Sequence, residues 1–354
     1  MSEHKAAWDQ YVTRERARLL PLLAERGVVL DQHQPNVIGE RFLMQSISTT
    51  SGQKITLFGK LKDGTRVVIK ATSDERGAAE IEEERVARRT LDSLQFAAER
   101  FYAPREVYYF KAGGLTVSIQ DYIEQTSPFI ERPLTEQFAL ALQGFKTQEG
   151  AHATTYRHMQ AISRIFPIWE SREYLAAGQE FATTGGTEVA LRELERGALI
   201  VDQYSGFLTH SDFVPHNVRV KDGHLYLLDH SSLRFGNKYE SWARFINFMV
   251  LYNPPLADAL LTYVKENRLP NEYESLRLMR IYRAIEIIAY YTRLLARSDG
   301  ALKELNTERV AFWRAVLTSV VDRVPLPPEV REAYTTKRDA LRSPDEKLRQ
   351  QGLH

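Results

Sequence analysis

The chain has 354 residues, 43% hydrophobic and 26% charged, enough for a substantial core and for two units of structure. A formal net charge of +1 argues against a protein that coats nucleic acid or an anionic membrane. The absence of cysteine excludes disulfides and thiolate metal sites.

The opening MSEHKAAWDQ lacks the basic start and apolar run of a signal peptide. The most apolar stretch, around Ile285 to Tyr291, is short and flanked by Arg283 and Arg293, so a cytoplasmic protein is expected, with no membrane and no nucleic-acid partner. From about His4 to Arg26 the chain is rich in Ala, Leu, Arg and Glu and predicts a helix stopped by Gly27. Three β-rich runs follow, FLMQSIST, ITLFGKL and RVVIKAT, and Asp63-Gly64 between the last two marks a hairpin. A charged helix is predicted over about Ser73 to Arg100, then two strands around Gly113-Gly114. Together these make a small, mostly antiparallel sheet with one helix, ending near Gln125. From Pro133 onward the pattern is mainly helical, interrupted once by the hairpin NVRVKDGHLYLLD. The expected class is α+β, with units at 1–125 and 126–325 and a charged, partly flexible tail over 326–354.

The segment Leu208 to Leu233 reads LTHSDFVPHNVRVKDGHLYLLDHSSL. Asp222-Gly223 separates two alternating runs; paired as a hairpin, they bring Asn217 at the start beside Asp229 at the end. Asp212 can loop back to the same point, so one carboxamide and two carboxylates converge. Such hard oxygen ligands suit Mg²⁺, which also takes oxygens from ATP phosphates. Upstream, alternation along RVVIK puts Val68 and Lys70 on one side of a strand, so Lys70 projects from an otherwise apolar surface. In the following helix Ala87, Leu91 and Leu94 form an inward stripe that meets Glu83 one turn back and Glu80 another turn back. A carboxylate on that side needs a cation, and Lys70 is available. Glu83 is the chosen partner, with Glu82 and Glu84 close in register. Between the first two strands lies Ser48–Lys54, whose small hydroxyl side chains, Ser51 among them, and Gly52 would let backbone N–H groups approach phosphate.

The pattern His-x-Asp-x4-Asn, then a hairpin and Asp, resembles the catalytic and metal loops of the aminoglycoside phosphotransferase and choline kinase-like family. The order of lysine strand, acidic helix and Asp/Asn/Asp hairpin matches as well, over about Phe42 to Trp242. The resemblance implies a bilobal protein-kinase-like fold: a small antiparallel β-sheet lobe with one helix, and a larger, mainly helical lobe containing the catalytic β-hairpin. It implies an ATP- and Mg²⁺-dependent phosphotransferase acting on a hydroxyl of a small molecule. Asp212 would be the catalytic base, Asn217 and Asp229 would hold Mg²⁺, and His210 would brace the loop. Lys70 resembles the strand lysine of the kinase motif Val-Ala-Ile-Lys, with Val68 lining the adenine pocket. Backbone groups near Gln120 and Tyr122 would bind the adenine edge.

The chain departs from the family pattern at Ser211, commonly glycine, and at His230-Ser231, where an aromatic and a second acid are usual. Gly236-Asn237-Lys238 and Ser241-Trp242-Ala243 stand in place of Gly-Asp-Pro and Asp-Leu-Ala. These departures leave a nucleotide-binding pseudokinase as the alternative. A metal-dependent hydrolase stands behind it, because His210, His216 and His230 cluster with Asp212 and Asp229. Strand alternation, however, turns His216 and His230 away from their neighbours Asn217 and Asp229. The acceptor would lie against Tyr252 to Val324, where Arg277, Arg280, Arg283, Arg293 and Arg297 are unlike the acidic cleft a polycation needs. An anionic or neutral polyol, sugar or lipid-like head group fits as well as an antibiotic.

Overall fold

A five-stranded antiparallel sheet occupies the first third of the chain, in the order β1-β2-β3-β5-β4. The structure is a computed structural model, which describes residues 3–34, 52–96 and 102–342, together with 347. The strands are β1 (Val29–Leu30), β2 (Ile55–Lys60), β3 (Arg66–Thr72), β4 (Glu106–Ala112) and β5 (Leu115–Asp121). Both expected hairpins form: Gly64 at φ 87° closes one, and Gly113 and Gly114 at φ 57° and 70° close the other, conformations glycine adopts without a Cβ penalty. The expected strand FLMQSIST lies outside the described residues.

Alternation gives the sheet two faces. Ile55, Leu57, Val67, Ile69, Ala71, Val117 and Ile119 pack against α1 (Glu3–Glu25), which contributes Trp8, Tyr11, Leu19 and Leu23. On the opposite face Lys70 stands between Thr56 and Ser118, and Val68 between Phe58 and Gln120. Helix α2 (Glu75–Ser93) covers part of that face, its first turn capped by the Asp74 carboxylate on Gly77 N–H.

The rest of the chain is mainly helical: α3 (Leu134–Thr155), α4 (Ser171–Gly185), α5 (Glu188–Arg196), α6 (Glu240–Tyr252), α7 (Pro254–Asn267), α8 (Pro270–Leu295), α9 (Gly300–Val321) and α10 (Pro328–Leu341). A second hydrophobic cluster joins them, and it reaches up to Ala87 and Leu91 on α2. Two antiparallel pairs are set among the helices. The expected hairpin is β7 (Val218–Lys221) with β8 (His224–Leu227), turned by Asp222 and Gly223 at positive φ. The other pair, β6 (Phe207–His210) with β9 (Leu233–Gly236), is a correction to the single interruption expected. Within the tail, residues 328–341 form α10, which docks on α9 with Tyr334 stacked on Phe312. No helix among the described residues is long and apolar enough to cross a membrane.

Candidate active site

Strand β6 delivers His210 and Asp212 to the mouth of the β7–β8 hairpin, and β9 carries the chain away from Asp229. His210 donates from Nε2 to the carbonyls of Asp229 (3.0 Å) and Leu228 (3.3 Å), tying the Asp212 loop to the hairpin's far end. Asn217 closes the other side, its Nδ2 donating to both the main-chain oxygen and Oδ2 of Asp212 at 2.9 Å. Its main-chain oxygen takes the Leu228 N–H at 2.8 Å, so the two ends of the hairpin are in register beside Asp212. Ser211 fits without strain, since it is absent from the positive-φ residues, and its N–H bonds Ser232 O at 2.8 Å. Asp229 sits in the left-handed region at φ 58°, which Asp tolerates better than most residues but at a cost of about 1 kcal/mol. The hydroxyls of Ser231 and Ser232 donate to its two carboxylate oxygens.

Arg244, one turn into α6, was not signalled by any motif. Its Nε and Nη2 both lie on Asp212 Oδ1, at 2.8 and 2.7 Å. Burial disfavours the Asp212 carboxylate, but Arg244, with help from Arg283 and His210, outweighs it and holds the carboxyl well below the usual range. The side chain keeps 37% of its surface open, so it remains reachable. A sequence signal for Arg244 existed: it falls three residues after Ser241, on the same side of a helix. Ser241 itself braces the loop, accepting the His210 N–H and donating to the His210 carbonyl, each at 3.0 Å. The neighbouring departure Asn237 is also satisfied, bonded to Val201 O and Ser275.

Above the loop, Lys70 Nζ lies 2.6 Å from a carboxylate oxygen of Glu84, not of Glu83. Glu83 is exposed, whereas Ile81, Glu84, Arg88 and Leu91 share the buried face of α2. The stripe drifts because 3.6 residues make a turn: seven residues back from Leu91 lands on Glu84. Glu82 bonds the Tyr109 hydroxyl. Burial opposes the charge on Glu84, but Lys70 and Arg88 prevail and lower its pKa to about 2. His230, packed under α2, is driven to about 3 by burial, against the pull of Glu84, and is neutral.

Two nucleotide-site expectations change. Gly52 N–H is taken by Glu80 Oε1 at 2.8 Å, and a Cβ on Gly52 would stand 2.0 Å from Gly77 N. Close backbone contact with α2 is therefore what requires glycine there. Ser51 lies outside the described residues. At the connection between sheet and helices, Tyr122 N–H donates to Arg66 O at 3.0 Å, and the Gln120 side chain is buried beside Ser118 and Arg88. Alternation of strand pairing then turns the Asp121 carbonyl and the Ile123 N–H away from β3. A cavity of about 660 Å³ opens at this connection, lined by Arg66, Arg105, Tyr122, Ile123, Lys221 and Tyr226 among others; it does not include Lys70, Asp212, Asn217 or Asp229.

Asn217 Oδ1 and the Asp229 carboxylate are hard oxygen donors, and with Nδ2 of Asn217 committed to Asp212 the carboxamide oxygen is the end left for a cation: the donor set fits Mg²⁺ with phosphate oxygens. No group of three or more His, Cys, Asp or Glu side chains among the described residues could hold a metal by itself. His216 instead lays its ring edge-on to Phe248 at 5.3 Å.

No family model matches the chain, and no curated protein matches it in sequence. In fold it is similar to solved phosphotransferases. Aminoglycoside phosphotransferase APH(4)-Ia is 16% identical with a TM-score of 0.55, covering 87% of this chain and 98% of that one. The GDP complex of wild-type aminoglycoside 2'-phosphotransferase-IIIa gives 13%, 0.56, 85% and 97%. Macrolide 2'-phosphotransferase type I gives 17%, 0.52, 85% and 96%. At these identities the likeness is one of fold.

Proposed function

We propose that this chain is a two-lobed phosphotransferase that moves the γ-phosphate of ATP to a hydroxyl of a small molecule, its lobes meeting near residue 125. The observation that carries the reading is the convergence of Asp212, Asn217 and the Asp229 end of the hairpin on one point, beneath the Lys70–Glu84 pair. Lys70, fixed by Glu84, would hold the non-transferred phosphates of ATP. Val68 and Phe58 offer the base an apolar ceiling, and the Asp121 carbonyl and Ile123 N–H are the hinge groups placed to read its edge.

Mg²⁺, held by Asn217 and Asp229, would supply charge neutralisation at the phosphate oxygens. Asp212 orients the acceptor. Its Oδ1 already accepts two bonds from Arg244, while Oδ2 accepts one from Asn217 and has capacity for one more. The acceptor hydroxyl therefore binds Oδ2. A carboxylate of such low basicity takes little proton from a ground-state alcohol, which suits a loose transition state that asks chiefly for positioning.

The test is thermal shift and phosphate transfer with ATP and GTP, with and without Mg²⁺, on wild type, Lys70→Ala and Asp212→Ala, using pooled hydroxylated metabolites. Mg·nucleotide stabilisation is expected in wild type and Asp212→Ala and is weakened in Lys70→Ala. Turnover is expected to fall by about 10²–10⁴-fold in Asp212→Ala. Stabilisation without transfer to any pool would favour the pseudokinase instead, and no response to nucleotide would remove the reading altogether.

A further inference from the structure

We infer that the acceptor carries an anionic group (phosphate, sulfate or carboxylate) that docks on Arg280 of α8, which is held by Asn247, one helical turn along α6 from the residue gripping Asp212; this rests on the phosphotransferase reading above. Most of the arginines on α8 are neutralised. Arg277 forks onto Glu274 and Glu193 at 2.6 and 3.0 Å, Arg283 binds Glu286 at 2.9 Å and Glu240 at 3.4 Å, and Arg293 reaches Glu180 at 3.6 Å. Arg280 is different. No carboxylate among the described residues pairs with it, and its one hydrogen bond runs from Nε to Asn247 Oδ1 at 2.9 Å.

Asn247 is itself anchored, donating from Nδ2 to the Arg280 carbonyl at 3.0 Å. The guanidinium is thus held in a fixed fork whose two terminal nitrogens make no hydrogen bond among the described residues. Burial lowers its pKa to about 10, which leaves it charged at neutral pH. Arg280 is partly buried and Asp258, the carboxylate whose charge acts on it, forms no ion pair with it, so a planar guanidinium fork is left for a ligand anion. Its position ties it to the chemistry: Asn247 follows Arg244 by three residues, about 5 Å along the helix, and Arg244 holds Asp212. Beside them Phe248 stacks on Tyr252 at 4.3 Å and meets His216, an aromatic surface for the carbon skeleton.

The deciding experiment is a thermal-shift titration of the full chain, saturated with Mg·AMP-PNP, with sodium sulfate against sodium chloride of equal ionic strength. Sulfate strengthens burial in any folded chain, so the readout is its shift beyond chloride in wild type less that in each variant: several degrees are expected to be lost in Arg280→Gln and fewer in Arg280→Lys. Equal effects of the two salts on wild type, or an undiminished sulfate shift in Arg280→Gln, would overturn the inference. In turnover, glycerol 3-phosphate is expected to exceed glycerol by at least tenfold in kcat/KM, and Arg280→Gln to erase that preference through KM; preference for glycerol or for kanamycin would also overturn it. Absence of any Mg·AMP-PNP shift in wild type is a separate result, and would count against the phosphotransferase reading alone.

Discussion

Lys70 meets Glu84 rather than Glu83, and the two carboxylates differ by one residue and by everything that surrounds them. Glu84 is 7% exposed and is ion-paired with Lys70, so Glu84→Ala leaves Lys70 short of its partner, while Arg88 keeps Glu106 at 3.5 Å. A loss of about 3 kcal/mol is expected from chemical denaturation, with a raised KM for ATP. Glu83→Ala should stay within about 0.5 kcal/mol. The pH dependence has a definite sign. Glu84 has a folded pKa of about 2, below its ordinary value near 4.3, so its contribution is complete above the latter and is lost as pH falls toward the former. Asp212 is shifted in the same direction, so the kcat profile should show no acid limb from its protonation between pH 5 and 8.

At the scale of elements, the loop bearing Asp212 is positioned from behind by α6. Ser241 supplies both donor and acceptor to the His210 main chain in a buried setting, where a lone carboxylate would need a further partner. Ser241→Ala is expected to cost about 1–3 kcal/mol and to lower kcat more than either KM, whereas Ser241→Thr should retain part of both. Much of this scaffold could be read from local pattern: α1, α2, both sheet hairpins and the β7–β8 hairpin stand where alternation and Gly turns put them. The β6–β9 pair could not. Each strand has four residues, more than twenty residues separate them, and no turn signal links them. Non-local pairing of that kind leaves no local signature. The partner of Lys70 was illegible for another reason: three consecutive glutamates span most of a helix turn, and only packing chooses among them. Gly52 carried a true signal of close approach, but the approaching group is the backbone of Gly77.

In the whole molecule, α1 does more than cover the sheet. Tyr11 OH donates to Gln53 O at 3.0 Å and lies 2.9 Å from Thr72 Oγ1, so this helix pins the strand that leaves the segment expected to cover phosphate. Deleting residues 3–25 removes Trp8, Leu19 and Leu23 from the core, a loss of roughly 6 kcal/mol at about 2 kcal/mol for each side chain. Thermal denaturation should show that truncated protein unfolded or much less stable, while Tyr11→Phe should fold and bind nucleotide more weakly. The helix α2 has a related place. Near its start Asp74 and Glu80 take the N–H groups of Gln53 and Gly52, at its middle Glu84 takes Lys70, and lower down Ala87 and Leu91 are set into the helical core. Swinging this helix outward would break all three attachments together. The helix is thus a rivet between the sheet and the helical core: loosening it at any one of the three points loads the other two.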